Sequence, residues 1–158
     1  MDSVLVDNAG GAALAAQHLM SLGHERIAMV SGPLETTPGR GRYDGFVEAL
    51  RAAGLELRAK YIAISDFRED GGYQSTLRLL AVQPQPTAIF VANNLMSMGA
   101  LPAIHDLALR IPTDISVLGL ADLDLAEPLD PPPTVHHRPM ARQVGLAHRP
   151  RPSRVATP

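Results

Sequence analysis

Apolar and polar positions fall into short blocks that switch between two periods. Four mostly apolar runs, Ile27–Val30, Tyr61–Ile64, Ala88–Ala92 and Ile115–Gly119, have the length of strands buried on both faces. Val4–Val6 is a shorter candidate of the same kind. Between them, apolar residues recur at helical spacing over about Asn8–Leu22, Arg42–Ala53, Gly71–Val82 and Leu95–Leu107. Asn8 is placed to cap the first helix, whose apolar face takes in Ala12, Leu14, Ala15, Leu19 and Leu22, and Gly23 stops it. Gly54 stops the second, and Pro84 and Pro86 close the third. Leu34–Gly41 reads as a loop. Pro102 conflicts with the last helix, because its ring would meet the carbonyl of Met98; the helix is kinked there or starts later. Strands alternating with helices of this length predict right-handed crossovers, and so an α/β fold with a parallel sheet in a three-layer α/β/α arrangement.

The strands end in short polar residues: Asn93 and Asn94 after Ala88–Ala92, Asp122 and Asp124 after Ile115–Gly119. In an open parallel sheet, ligands sit outside the carboxyl ends of the strands. A small-molecule binder is therefore expected, with these turns in its site. Beyond Gly119 the pattern fades. Asp130–Pro133 reads as a stiff connector, Thr134–Arg138 as a candidate strand, Met140–Ala147 as a candidate helix start, and residues 148–158 as a disordered tail. No internal repeat is found.

At 158 residues with 46% apolar content, the chain amounts to one domain, or to a little more than one lobe of a two-lobed protein. No apolar run approaches the roughly 20 residues of a membrane span. Met1-Asp2-Ser3 is not the basic start of a signal peptide. The absence of cysteine excludes disulfides and thiolate metal sites and fits a cytoplasmic protein. Residues 131–158 carry five Arg and no acid, whereas residues 1–130 carry nine basic and sixteen acidic side chains. An acidic body is a poor partner for nucleic acid. His136 and His137 are adjacent, would point to opposite strand faces, and have no third ligand nearby, so solvated histidines are the plainer reading. Gly39-Arg40-Gly41 is no dinucleotide loop, and Ser31-Gly32 is an ordinary turn rather than a phosphate cradle. No nucleophile stands at credible spacing from a base, so no enzyme, cofactor or metal is expected.

Five segments, in order, carry a resemblance: Gln17–Ala28, Arg42-Tyr43-Asp44-Gly45-Phe46, Pro86–Ala100, Arg110–Val117, and Pro131-Pro132 through Pro139-Met140. Together they resemble the effector-binding core of the LacI/GalR (lac repressor-like) family of bacterial transcriptional regulators, from about Val4 to Ala147. The resemblance implies a periplasmic-binding-protein-like (type I) lobe, incomplete here. Residues 1–147 would form a partial effector domain, mainly the second lobe, with no helix-turn-helix domain. It further implies a sugar-like or nucleobase effector bound between two lobes, a homodimer in the intact parent, and contact with DNA only through the missing helix-turn-helix. A solute-binding protein of a transporter shares the architecture. A frameshifted, non-functional remnant would account for the missing lobe, Pro102, Ala121 and the tail. A small flavodoxin-like or nucleotide-using enzyme would need a phosphate loop or catalytic cluster.

The resemblance implies ligand-contacting roles for three residues, and offers Asp122, next to such a position, as a fourth. Arg42 matches an arginine that grips hydroxyls or a carboxylate, for which a planar fork is suited; otherwise it is a first-turn arginine facing water. Phe67 matches an aromatic that stacks on the ligand ring; otherwise it packs beneath its loop. Asn93 matches a donor-and-acceptor amide; otherwise it caps the next helix. Asp122 stands beside Ala121, which replaces the acid that commonly touches ligand, so a shifted turn would be needed for Asp122 to serve.

Overall fold

A computed structural model describes residues 7–120. The candidate strand Val4–Val6, the elements after Gly119, the tail and Asp122 lie outside the described residues. The described elements alternate: α1 Asn8–Ser21, β1 Ile27–Ser31, α2 Thr37–Ala52, a 3-10 turn Ala59–Tyr61, β2 Ile62–Ile64, α3 Glu69–Leu80, β3 Ala88–Val91, α4 Asn94–Asp106 and β4 Ser116–Gly119.

The four strands form one parallel sheet in the order β2-β1-β3-β4. From β1 the chain steps outward to β2, then back past β1 to β3 and on to β4. Right-handed crossovers therefore send α2 to one face and α3 and α4 to the other. The contacts agree: α1 and α2 pack together against β3 and β1, while α3 and α4 pack together against β2, β1 and β3. Every residue of β1, β3 and β4 is buried, which is why these strands read as continuous apolar runs rather than alternating ones. Phe46 of α2 and Phe90 of β3 stack with centroids 4.7 Å apart.

Several boundaries differ from the sequence expectation. Helix α2 begins at Thr37, five residues before Arg42, because the Thr36 hydroxyl accepts from Gly39 N at 3.0 Å and Pro38 lies in the first turn. The two glycines of residues 39–41 hide that start from a periodicity search. Asp7, not Asn8, caps α1, accepting from Gly10 N at 2.8 Å. Leu14 points outward at 39% exposure, and the buried face of α1 is Ala12, Ala15, Ala16 and Leu19. Helix α3 starts at Glu69, two residues before Gly71. Helix α4 starts at Asn94, so the later start is not adopted, and Pro102 lies inside it on an exposed position.

Both helix pairs pack closely because glycines line their contacts. A Cβ on Gly45 would fall 2.2 Å from the Ala9 carbonyl oxygen of α1, and one on Gly99 would fall 2.0 Å from that of Glu69 in α3. Tyr73 and Asp106 add a polar tie between α3 and α4. The Asp106 carboxylate accepts the Tyr73 hydroxyl, which holds that phenol above its ordinary range. At the amino ends of the strands, buried His24 lies between Thr87 Oγ1 (2.8 Å) and Ser116 Oγ (3.1 Å) and so ties the entries of β1, β3 and β4 together. The helix-strand order thus leaves the carboxyl ends of β1 and β3 as adjacent strands whose connections run in opposite directions, the place where an open sheet parts to form a crevice.

Candidate effector site

Three of the four residues singled out from the sequence meet at this crevice. Arg42 comes from the second turn of α2, Phe67 from the loop between β2 and α3, and Asn93 from the residue that caps α4 after β3.

Arg42 does not face water. It is 5% exposed; its Nη1 donates to the Ala92 carbonyl at 2.7 Å and its Nε to Asn8 Oδ1 at 2.9 Å. The earlier start of α2 accounts for this, since it moves Arg42 from an outward first turn to a buried second one. Ala92 directly follows β3, so the guanidinium is pinned at the carboxyl end of a central strand.

Phe67 is half-buried and lies with its ring centroid 5.9 Å from the Arg42 guanidinium carbon, within cation–π range. Its backbone has φ +67°, a left-handed conformation uncommon for a bulky residue and costing about 1–2 kcal/mol. Strain of this kind gathers at functional sites. The ring rests on Gly32, just past β1: a Cβ there would come 2.2 Å from the ring carbons. The Ser31-Gly32 turn therefore serves as a seat for an aromatic ring, and Ser31 Oγ donates to its neighbour's carbonyl at 2.9 Å.

Asn93 does the work of a cap, its Oδ1 accepting from Met96 N at 3.0 Å. Its Nδ2 also donates to the Phe67 carbonyl at 3.3 Å, so the amide steadies the strained residue. One N–H of this amide and the second lone pair of its oxygen are left over from those two bonds. Sequence reasoning missed Asn8 and Gly32. Asn8 was legible only as a local cap, because its partner lies 34 residues ahead. Gly32 carried no signal beyond a turn.

Two hollows lie elsewhere on the described surface. One, of about 480 Å³, opens at the amino ends of the strands beside Tyr61, Leu50 and Arg58; the other, of about 840 Å³, runs along the outer side of α1 and α2 past Ala13 and Val47. Neither includes the crevice residues. The crevice has the stronger claim on physical grounds, because a buried cation, a strained aromatic and an amide converge there. Among the described residues no group of acids and histidines could hold a metal ion, and no helix is long and apolar enough to cross a membrane.

Residues 16–148 match the periplasmic binding protein-like domain family. The chain belongs to that family, in its LacI-type branch. It is 38% identical over 141 residues to the HTH-type transcriptional repressor PurR of Erwinia tasmaniensis, covering 89% of this chain and 41% of that protein. It is 39% identical over 129 residues to the ribose operon repressor of Escherichia coli, covering 82% of this chain and 39% of that protein. Among solved structures, a transcriptional regulator CelR–cellobiose complex superposes with a TM-score of 0.72 at 38% identity, covering 80% of this chain and 39% of that one. A sugar-binding LacI-family regulator from Escherichia coli, complexed with phosphate, does so with a TM-score of 0.72 at 27% identity, covering 81% and 46%. The chain thus spans about two-fifths of the length of the curated relatives it matches. This LacI-type chain has the parallel three-layer α/β/α lobe of the periplasmic-binding-protein-like fold that the resemblance implied.

Proposed function

We propose that this LacI-type chain is the effector-binding lobe of a transcriptional regulator, that it binds a sugar-like or nucleobase-like small molecule at the carboxyl ends of β1 and β3, and that it catalyses no reaction. The observation that carries this is the buried Arg42, held at two points and set against the ring of Phe67 at the sheet's switch point. A planar fork recognises paired oxygens, and an aromatic face takes the apolar side of a ring. Arg42 and Phe67 would contact the ligand, with Asn93 adding an amide and Asp122 a carboxylate. A lobe of this kind forms one wall of a cleft, so a closed hollow is not expected from these residues alone. In the full-length regulator the effector would shift a balance between two arrangements of a cytoplasmic homodimer, and so its hold on DNA through a separate helix-turn-helix.

The test is thermal unfolding of the 158-residue chain with D-ribose, cellobiose and hypoxanthine at millimolar concentration. A ligand present at about 100 times its Kd adds about 2.7 kcal/mol of stability. One of the three is expected to raise Tm by about 5 °C or more, saturably, and the effect should vanish in Phe67→Ala. Cooperative unfolding at the same Tm with all three would contradict the proposal.

A further inference from the structure

Among the polar side chains that neither the sequence nor the family resemblance assigned to the site, Asn8 stands apart because its partner is the site arginine. The capping of α1 belongs to Asp7, so the Asn8 amide is not engaged at the helix end. Its Oδ1 instead accepts from Arg42 Nε at 2.9 Å, while Arg42 Nη1 is held by the Ala92 carbonyl at 2.7 Å. Two fixed donors on one planar group determine the plane of that group. One anchor is the end of a central strand. The other is the first residue of α1, and α1 is seated tightly on α2, since Gly45 leaves no room for even a methyl group against Ala9. An amide acceptor also holds Nε without itself bringing a counter-charge to the guanidinium.

We propose that Asn8 is a positioning residue for the effector: it sets the plane of the Arg42 guanidinium. Effector affinity is thereby tied to the placement of the start of α1, and a displacement of that end would turn the guanidinium and weaken its grip. The inference rests on the effector reading of the crevice.

The experiment records the Arg42 Nε–H correlation of the nitrogen-15-labelled chain, with D-ribose, cellobiose, hypoxanthine and inorganic phosphate as separate probes. The wild-type signal is expected to exchange slowly with solvent and to shift saturably with at least one probe. In Asn8→Ala the Nε–H should exchange rapidly, and the apparent affinity for that probe should fall about tenfold. Asn8→Asp, which keeps an acceptor oxygen in the same place, should keep the slow exchange and, for an uncharged probe, an affinity within about threefold of wild type. If Asn8→Ala does not fold, Asn8→Ser, too short to reach Nε, replaces it. A wild-type response that is indifferent to losing the Asn8 acceptor overturns this inference alone. Silence of the wild-type chain to all four probes overturns the effector reading, and this inference with it.

Discussion

Replacing Arg42 by alanine is expected to abolish measurable effector binding and to destabilise the lobe as well. The two effects have separate causes. The side chain is 5% exposed, and its guanidinium satisfies the Ala92 carbonyl and the Asn8 amide oxygen. Removing it leaves both acceptors facing a void. Hydrogen bonds to a charged group contribute about 1.5–3 kcal/mol each, and an abandoned buried acceptor costs a similar amount, so the loss of two such bonds is expected to cost about 3–6 kcal/mol. The binding loss comes from the donors that would face the ligand. Losing about 3 kcal/mol there lowers affinity by about a hundredfold. Two further variants separate these causes. Arg42→Lys keeps the charge but cannot serve Asn8 and Ala92 with a fixed fork, so it should recover part of the stability and little of the binding. Arg42→Met keeps much of the stem packing and no donor, and should bind no better than alanine. Urea unfolding beside calorimetric titration reads both quantities. Full affinity in Arg42→Ala would remove this residue from the site.

Replacing Gly45 by alanine should lower stability more than a similar change elsewhere in the chain would suggest. In a helix interior, alanine is ordinarily favoured over glycine by about 0.5–1 kcal/mol. At Gly45 that gain is outweighed. The added Cβ would lie 2.2 Å from the Ala9 carbonyl oxygen and 2.7 Å from its Cα, and both are backbone atoms of α1 that no rotamer change can move. Helices α1 and α2 would have to separate, opening gaps against the sheet at Ala12 and Phe46. Overpacking of this kind costs about 1–3 kcal/mol, and a backbone collision belongs at the upper end. A net loss of about 2 kcal/mol, seen as a drop of about 6 °C in Tm, is expected. Gly54→Ala is the comparison. Gly54 has φ +88° with nothing within 4 Å of its added Cβ, so that change costs only the left-handed strain of about 1–2 kcal/mol. If Gly45→Ala is as mild as Gly54→Ala, the helices do not approach as closely as described.

Much of this architecture was legible in the sequence because its signals are local. Strands buried on both faces are continuous apolar runs, and the four described strands fall within one residue of the runs at Ile27, Tyr61, Ala88 and Ile115. Gly23 and Gly54, both at positive φ, lie just past the helix ends they were expected to mark. The start of α2 was not legible, since Thr36, Pro38 and Gly39 look like a turn until the Thr36 cap is seen closing a helix. The outward Leu14 was misplaced because alanines, not leucines, form most of the buried stripe of α1. At the site, the position of Arg42 followed from the family resemblance, but its burial did not. Burial depends on Asn8 and Ala92, which come from distant parts of the chain. The cap and ligand readings of Asn93 are compatible, since the amide caps α4 and steadies Phe67 with bonding capacity to spare.

The most direct test of the account is a residue-by-residue map of where an effector binds, made by titrating the nitrogen-15-labelled chain with whichever of D-ribose, cellobiose and hypoxanthine stabilises it. Binding at the carboxyl ends of β1 and β3 predicts saturable shifts at Gly32, Arg42, Phe67 and Asn93, while Arg58 and Tyr61 at the opposite end stay unmoved. Shifts confined to Arg58, Tyr61 and Leu50, with the four crevice residues silent, would contradict it.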